Sequence, residues 1–255
     1  MRLRNWGVCL WVFGMWMMGC EQSSIPTWAV AGSLYGPFSV LVDSFAAKSG
    51  HEIQLVTGSS GALTTQILQG APIEVLISAD SLYPIQLLEK RPDAQTGVWG
   101  YGGLAIWVRD TANDLSAYSL LNIRRIALAN PEVAPFGRLA MQWIKAQESP
   151  AQITDKLVFS EHVGQLNPWI QQQSVDLAFT SRSIEASFQM EGLSMGKWII
   201  LGAPYDRIPH GFWANRSSEI WPEFQAFLHS TTGKMILTRY GYSTQALGET
   251  VDYAD

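Results

Sequence analysis

Five short turns, each rich in glycine, serine or other small residues, carry groups that could bind an anion. Each follows a predicted strand and opens a predicted helix, at residues 32–34, 58–61, 135–137, 162–164 and 180–183. The first turn of a helix leaves backbone N–H groups without partners, and the helix dipole makes that end positive. Several such ends around one cavity would form a neutral anion trap, to which serine hydroxyls add donors. A serine at one such turn is usually only a helix cap, so the set carries more weight than any member.

The elements that position these turns alternate between short apolar strands and amphipathic helices. In the first part of the chain, strands are predicted at 28–32, 52–57 and 74–78, and helices at 37–48, 62–69 and 81–89. Strands separated by single helices imply right-handed crossovers and a largely parallel sheet. The turns then lie at the carboxyl ends of the strands, which is where ligands of such sheets bind.

A second α/β unit begins after residue 102. Strands are predicted at 104–108, 125–129, 156–160 and 175–180, with helices at 136–147 and 163–172. Strands at 198–201 and 211–214 lead back, and helices at 219–228 and 232–240 close the chain. No long flexible linker separates the two units, so we expect two lobes that are joined by strands.

The first twenty residues have the pattern of a targeting segment. Arg2 and Arg4 form a basic start, and the uncharged apolar run that follows is short for a membrane span. It ends at Gly19 and Cys20, which resemble a bacterial lipobox, although Met17 stands where that pattern prefers leucine. We expect residues 1–20 to be a lipoprotein signal peptide and Cys20 to be lipidated. An ordinary signal peptide and an uncleaved membrane anchor are the alternatives.

Cysteine content and charge exclude several classes of protein. Cys9 and Cys20 are the only cysteines, so the processed chain can form neither an internal disulfide nor a zinc site built on several thiolates. The four histidines lack the i, i+4 spacing of metal ligands. Removal of residues 1–20 takes away two arginines and no acids, which moves the formal charge from -5 to -7. This mild acidity argues against a nucleic-acid partner and leaves anion binding to specific donors.

Several runs of residues resemble the periplasmic molybdate-binding proteins. The most specific is Gly70-Ala71-Pro72 with the eight residues to Asp80, since that family carries a run like Gly-Ala-Pro-Ala-Asp-Leu-Phe-Ile-Ser-Ala-Asp there. The other similar runs correspond to the family's four successive ligand loops and its C-terminal Tyr-Gly-Phe, at residues 31–34, 57–63 with 66–67, 130–132 with 135–137, 161–163 and 240–242. The resemblance spans essentially the whole chain after residue 20.

The resemblance implies which residues hold the ligand. It places hydroxyl ligands at Ser33 and Ser60, and backbone N–H donors at Ser33, Ser60, Phe136 and Val163. Many relatives use a tyrosine hydroxyl at the fifth loop, where this sequence aligns the shorter Ser181. We expect Ser181 to reach the anion through water or not at all. Phe136 replaces a small residue, so its ring must lie elsewhere.

The resemblance also implies the architecture and the function. The fold class would be α/β, a two-lobed type II periplasmic-binding-protein-like fold with lobe 1 at 27–104 plus 212–255, lobe 2 at 105–211, and the ligand cleft between them. Such a monomer would capture molybdate or tungstate outside the cytoplasmic membrane, close by hinge motion and deliver the ion to an ABC-type permease. No cofactor, no directly coordinated metal and no catalysis are expected.

Other functions remain open at this point. Within binding, the ligand could be another oxyanion such as sulfate or phosphate, or the chain could be a sensor that drives no transport. A serine hydrolase would need a histidine oriented by an acid, and the turn at 58–61 lacks the Gly-x-Ser-x-Gly elbow. Asp80 is expected to cap the helix that begins at Ser81. Arg138 and Arg182 follow two of the turns and are expected to face solvent or the other lobe.

Overall fold

The structure is a computed structural model that describes residues 25–112, 114–193 and 195–243. The predicted signal peptide and Cys20 lie outside these ranges. The strands are β1 (Thr27–Ala31), β2 (Gln54–Gly58), β3 (Ile73–Ile77), β4 (Ala94–Gly102), β5 (Leu104–Val108), β6 (Ile126–Ala129), β7 (Leu157–Ser160), β8 (Leu177–Ser181), β9 (Lys197–Ile200) and β10 (Ile208–Asn215). The helices are α1 (Tyr35–Ser49), α2 (Ser60–Leu68), α3 (Leu82–Lys90), α4 (Ala117–Asn122), α5 (Pro135–Lys145), α6 (Pro150–Thr154), α7 (Leu166–Gln171), α8 (Arg182–Met190), α9 (Trp221–His229) and α10 (Thr231–Arg239). Two short 3-10 helices, Gly32–Leu34 and Val163–Gln165, precede α1 and α7.

The strands form two five-stranded sheets, in the orders β2-β1-β3-β10-β4 and β7-β6-β8-β5-β9. We call the first sheet with α1–α3, α9 and α10 lobe 1, and the second sheet with α4–α8 lobe 2. The predicted two-lobed α/β fold is therefore confirmed. The chain passes to the second sheet between Gly102 and Leu104 and returns between Ile200 and Ile208. Nothing in the described residues forms a helix long and apolar enough to cross a membrane.

Both sheets are mixed, because the strands near the two points where the chain passes between the lobes are antiparallel to their neighbours. In lobe 1, β1 is parallel to β2 and β3, whereas β10 is antiparallel to β3 and β4. In lobe 2, β6 is parallel to β7 and β8, whereas β5 is antiparallel to β8 and β9. The parallel strands keep their carboxyl ends together, so the predicted turns of each lobe lie along one edge of its sheet.

Strand β4 is the longest element that the sequence analysis missed. Its run Ala-Gln-Thr-Gly-Val-Trp-Gly-Tyr-Gly contains three glycines, which are unfavourable in strands and obscure the alternation of apolar and polar residues. The glycines make room for large side chains. A Cβ atom at Gly97 would lie 3.0 Å from the Phe212 ring, and one at Gly102 would lie 2.8 Å from both His210 Nε2 and the Tyr242 ring. Pairing with β10, more than one hundred residues away, therefore determines this strand.

Buried aromatic side chains hold the helices of lobe 1 against its sheet. The Trp28 and Phe224 rings meet edge to face with centroids 4.8 Å apart, and Phe38 and Trp99 do so at 5.0 Å. All four side chains are almost fully buried. This packing fixes α1, and with it the Gly32–Leu34 turn, relative to the strand end at Ala31.

Candidate functional site

A cavity lies between the lobes, where four of the five predicted turns meet. Lobe 1 lines it with Ala31, Gly32, Ser33, Gly58, Ser59, Ser60 and Ala79, and lobe 2 with Ala134, Pro135, Phe136, His162 and Val163. His162 is the one titratable residue among these lining residues. The walls therefore offer backbone N–H groups and hydroxyls, without a lysine, arginine or carboxylate.

Two neighbouring serines at the start of α2 have different roles. Ser59 is the N-cap, and its hydroxyl oxygen accepts the N–H of Ala62 at 3.3 Å. Ser60 is fully buried, and its hydroxyl oxygen accepts the N–H of Ala79 at 3.2 Å. Because that bond uses a lone pair, the Ser60 hydroxyl hydrogen stays available to donate to an anion. The Ala79 N–H thus orients the Ser60 side chain.

Ser33 lies in the 3-10 turn Gly32–Leu34 before α1 and is only 4% exposed. Its carbonyl oxygen accepts the hydroxyl of Ser183 from lobe 2 at 2.6 Å. This bond joins the two lobes directly beside the cavity and holds the turn in place. The side chain of Ser33 belongs to the cavity wall, as the resemblance implied for a hydroxyl ligand.

Lobe 2 contributes two helix starts to the cavity. Phe136 follows Pro135 in the first turn of α5, and Val163 opens the 3-10 helix Val163–Gln165. Backbone N–H groups at such positions have no partner within the helix and can donate to an anion. The Phe136 ring packs against His210 of lobe 1, with centroids 5.7 Å apart and planes at 78°.

Ser181 lies outside the cavity lining. It is the N-cap of α8, and its hydroxyl oxygen accepts the N–H of Ile184 at 3.3 Å. The Ser181 and Ser183 hydroxyl oxygens are 2.8 Å apart. Since Ser183 uses its only hydrogen in the bond to Ser33, Ser181 must be the donor of this pair. Both hydroxyl hydrogens are therefore donated to protein acceptors. Of the five residues predicted to bind the ligand, the structure brings four together at the cavity, namely Ser33, Ser60, Phe136 and Val163.

The lobes are closed over one side of the cavity by polar contacts. The N–H of Gly61 in lobe 1 donates to the carbonyl of Val133 in lobe 2 at 3.0 Å. Nearby, Arg138 of α5 forms an ion pair with Asp80 and donates to the Tyr83 hydroxyl at 3.0 Å. Arg138 thus lies at the interface of the lobes, which is one of the two positions expected from the sequence.

Asp80 joins this interlobe contact to the start of α3. One of its carboxylate oxygens accepts the Tyr83 N–H at 3.3 Å and the Ser78 hydroxyl at 3.0 Å, and the other accepts Arg138. Burial raises the pKa of Asp80, and the Arg138 guanidinium acts against this shift. Every polar contact of the carboxylate is structural, and Asp80 is not part of the cavity wall.

A family model described as bacterial extracellular solute-binding protein matches residues 26–243. The chain belongs to this family. Two curated members are similar along most of their length. The molybdate-binding protein ModA of Rhodobacter capsulatus is 26% identical over 225 residues, which are 85% of this chain and 87% of that protein. The molybdate-binding protein ModA of Azotobacter vinelandii is 25% identical over 243 residues, 91% of this chain and 95% of that protein. The resemblance stated from the motifs is confirmed.

Solved structures of other binding proteins share the fold. The periplasmic molybdate-binding protein of Azotobacter vinelandii superposes with a TM-score of 0.73 at 23% identity, covering 86% of this chain and 98% of that one. The sulfate-binding protein SubI of Mycobacterium tuberculosis superposes with a TM-score of 0.69 at 13% identity, covering 90% of this chain and 88% of that one. At these identities the likeness concerns the fold alone, and it agrees with the two-lobed arrangement.

His162 lines the cavity and is not among the residues that the sequence predicts to hold the ligand. The histidines were considered only as metal ligands, and the described residues contain no group of three or more His, Cys, Asp or Glu side chains suited to a metal ion. The available signal was its place inside the fourth ligand-loop motif, directly before Val163. Burial lowers the pKa of His162, and the neighbouring Glu161 acts against this shift.

Proposed function

We propose that this solute-binding protein captures molybdate, or tungstate of nearly the same size, outside the cytoplasmic membrane and delivers it as a monomer to an ABC-type permease. The observation that carries this proposal is the cavity between the lobes, whose described lining residues offer hydroxyl and backbone N–H donors but include no lysine or arginine. The names of two curated relatives, both molybdate-binding proteins, support the choice of ion.

The cavity has the chemistry that a fully deprotonated dianion needs. Two hydroxyls, from Ser33 and Ser60, come from lobe 1, while the helix starts at Phe136 and Val163 add N–H donors from lobe 2. Hydrogen bonds to a charged ligand contribute about 1.5–3 kcal/mol each, so a few fixed donors in a closed cavity give high affinity without a cation. Because both lobes contribute donors, the anion stabilises the closed form.

The proton content and size of the ion distinguish molybdate from its competitors. Hydrogen phosphate carries a proton that a carboxylate accepts best, and the described lining residues include no carboxylate. Sulfate is fully deprotonated and is the second candidate, and a sulfate-binding protein shares the fold. Sulfate is a smaller tetrahedron, so donors fitted to molybdate would contact it poorly.

The serine hydrolase alternative finds little support in the cavity. His162 lies beside Ser33 and Ser60, but its Nδ1 atom has no acid partner in the described residues. The side chain of the adjacent Glu161 accepts a bond from Gln165 instead, at 3.4 Å. The acid that would orient a catalytic histidine is therefore not supplied by Glu161.

Isothermal titration calorimetry on ligand-stripped protein tests the proposed ion. We expect saturable binding of molybdate and tungstate at micromolar or lower concentrations, with sulfate and phosphate at least about a hundredfold weaker, or ~2.7 kcal/mol. Tighter binding of sulfate than of either metal oxyanion would refute the assignment, as would the absence of any heat with molybdate and tungstate.

The proposed location of the protein is inferred from the first residues of the chain. We propose that Cys20 is lipidated and anchors the protein to a membrane on its outer, periplasmic side, since Gly19 and Cys20 end an uncharged apolar run. The Cys20→Ser variant should lose incorporation of labelled palmitate and move from the membrane fraction to the soluble periplasmic fraction. Unchanged fractionation of that variant would refute the lipid anchor.

A further inference from the structure

His162 lines the cavity, and one of its ring nitrogens is hydrogen-bonded to no described protein atom. It precedes the 3-10 helix Val163–Gln165 and has an extended backbone, with φ -145° and ψ 163°. The Nδ1 atom of its ring is buried and has no hydrogen-bond partner among the described residues. A buried polar atom without a partner is costly, and it is found mainly where a ligand or water completes the site.

The imidazole is held in this position from both sides. Its backbone is fixed because the His162 carbonyl accepts the Ser160 hydroxyl at 3.0 Å and the Gln165 N–H at 3.1 Å. The ring lies where a side chain on Gly32 would be, since a Cβ atom there would be 2.1 Å from Nδ1. A Cβ atom on Gly164 would come within 3.2 Å of the same nitrogen. The two glycines thus let a side chain of lobe 2 reach the first turn of lobe 1.

Among the described residues, lobe 2 adds no other polar side chain to the cavity wall. Its remaining lining residues are alanine, proline, phenylalanine and valine, which offer only backbone groups. Ser181 and Ser183 have committed their hydroxyl hydrogens to protein acceptors. His162 is therefore the side chain through which lobe 2 can contact an anion that the serines of lobe 1 hold.

We propose that His162 donates its Nδ1–H to the bound oxyanion and that this bond is a determinant of affinity in the closed form. The inference rests on the proposed function, because it deepens the same site. Burial lowers the pKa of His162, which favours the neutral ring with a single N–H in the protein without ligand. An oxyanion beside Nδ1 selects the tautomer in which that atom is protonated.

Two substitutions separate donation from packing. The His162→Asn variant keeps an N–H donor about as far from the backbone as Nδ1, whereas His162→Leu keeps a comparable volume without a donor. By calorimetry with molybdate, we expect His162→Leu to bind roughly 10- to 100-fold more weakly than wild type, and His162→Asn to stay within about threefold. Equal affinities for all three proteins, or equal losses in both variants, would overturn the proposal.

Nitrogen NMR of the wild-type protein gives a second measurement that does not depend on a variant. In protein labelled with ¹⁵N-histidine, molybdate should move the Nδ1 resonance of His162 to the protonated, N–H type, with its assignment made by loss of the signal in His162→Asn. The exposed His51 and the distant His229 serve as internal references. An unprotonated Nδ1 in the saturated complex would overturn the proposal.

The same titrations distinguish failure of this inference from failure of the proposed function. If wild type binds sulfate or phosphate and neither molybdate nor tungstate, the proposed ion is wrong. The His162→Asn and His162→Leu comparison is then made with the anion that binds, and the same pattern supports His162 as its donor. If wild type binds none of the four anions, both the proposed function and the role of His162 are refuted.

Discussion

Alanine substitutions at Ser60 and at Ser181 distinguish a hydroxyl that binds the ligand from a hydroxyl that caps a helix. In Ser60→Ala, the anion loses a hydrogen bond, which costs about 1.5–3 kcal/mol, or roughly 10- to 150-fold in affinity. The same change removes the acceptor of the Ala79 N–H, a bond of 3.2 Å at a residue that is 2% exposed. A buried N–H without a partner costs about 1–3 kcal/mol of unfolding free energy.

Ser181→Ala should reduce the stability of the protein more than its affinity for the anion. Its hydroxyl caps α8 at the Ile184 N–H, and loss of an N-cap costs about 0.5–2 kcal/mol of stability. The Ser183 hydroxyl keeps its bond to the Ser33 carbonyl, so the turn that carries Ser33 stays in place. We therefore expect the affinity of Ser181→Ala for molybdate to remain within about threefold of wild type, well below the cost of a lost ligand bond.

Calorimetry with molybdate and urea unfolding without ligand measure the two effects independently. Ser59→Ala is a neighbouring comparison: Ser59 also lines the cavity, and because its hydroxyl caps α2, this variant measures how much of the Ser60→Ala effect comes from a weakened helix start. If Ser181→Ala weakens binding as much as Ser60→Ala, then Ser181 is a ligand and its hydroxyl does not point to Ser183. If Ser60→Ala binds like wild type, the Ser60 hydroxyl does not donate to the anion.

Three further perturbations test the closed cavity and its surroundings. Arg138→Met removes the ion pair with Asp80 across the cleft, and loss of the partner of a buried acid has a cost. Molybdate affinity, measured by calorimetry, should therefore fall about 3- to 10-fold. An unchanged affinity would refute a role of Arg138 in closing the lobes. Gly32→Ala places a Cβ atom 2.1 Å from His162 Nδ1, and such overpacking costs about 1–3 kcal/mol. Binding of molybdate should weaken roughly tenfold, while the circular dichroism spectrum stays unchanged. An affinity equal to that of wild type would contradict the closed geometry. Burial lowers the pKa of His210 to about 4, so the unfolded chain takes up a proton as pH falls below its ordinary value of 6.5 and the folded protein does not. The unfolding free energy should then drop by about 3 kcal/mol more between pH 6.5 and pH 4 in wild type than in His210→Leu, and equal slopes would contradict this.

The parts of the site that follow from local pattern were predictable from the sequence. Ser33, Ser60, Phe136 and Val163 each stand where an apolar strand ends and a helix begins, and the structure brings all four to one cavity. Strand-to-helix turns of one parallel sheet meet at one edge, so the pattern indicates the proximity of Ser33 to Ser60 and of Phe136 to Val163. How the two pairs meet depends on the closure of the lobes. The identity of the ion came from the motif resemblance and not from the pattern.

The parts that depend on contacts between distant segments were not predictable in this way. The direction of the Ser181 hydroxyl is set by Ser183 and, through it, by the Ser33 carbonyl 150 positions earlier. The place of His162 depends on the missing side chain of Gly32 in the other lobe. Such constraints leave no periodicity in the sequence, because each depends on how the two lobes close.

The most direct test of molybdate capture between the lobes is a crystal structure of the protein with molybdate, using anomalous scattering at the molybdenum absorption edge to locate the metal. We expect one strong anomalous peak in the cavity between the lobes, with molybdate oxygens within hydrogen-bonding distance of the Ser33 and Ser60 hydroxyls and the Phe136 and Val163 N–H groups. A peak outside this cavity, or a cavity without a peak in a crystal grown at saturating molybdate, would contradict the proposed binding site.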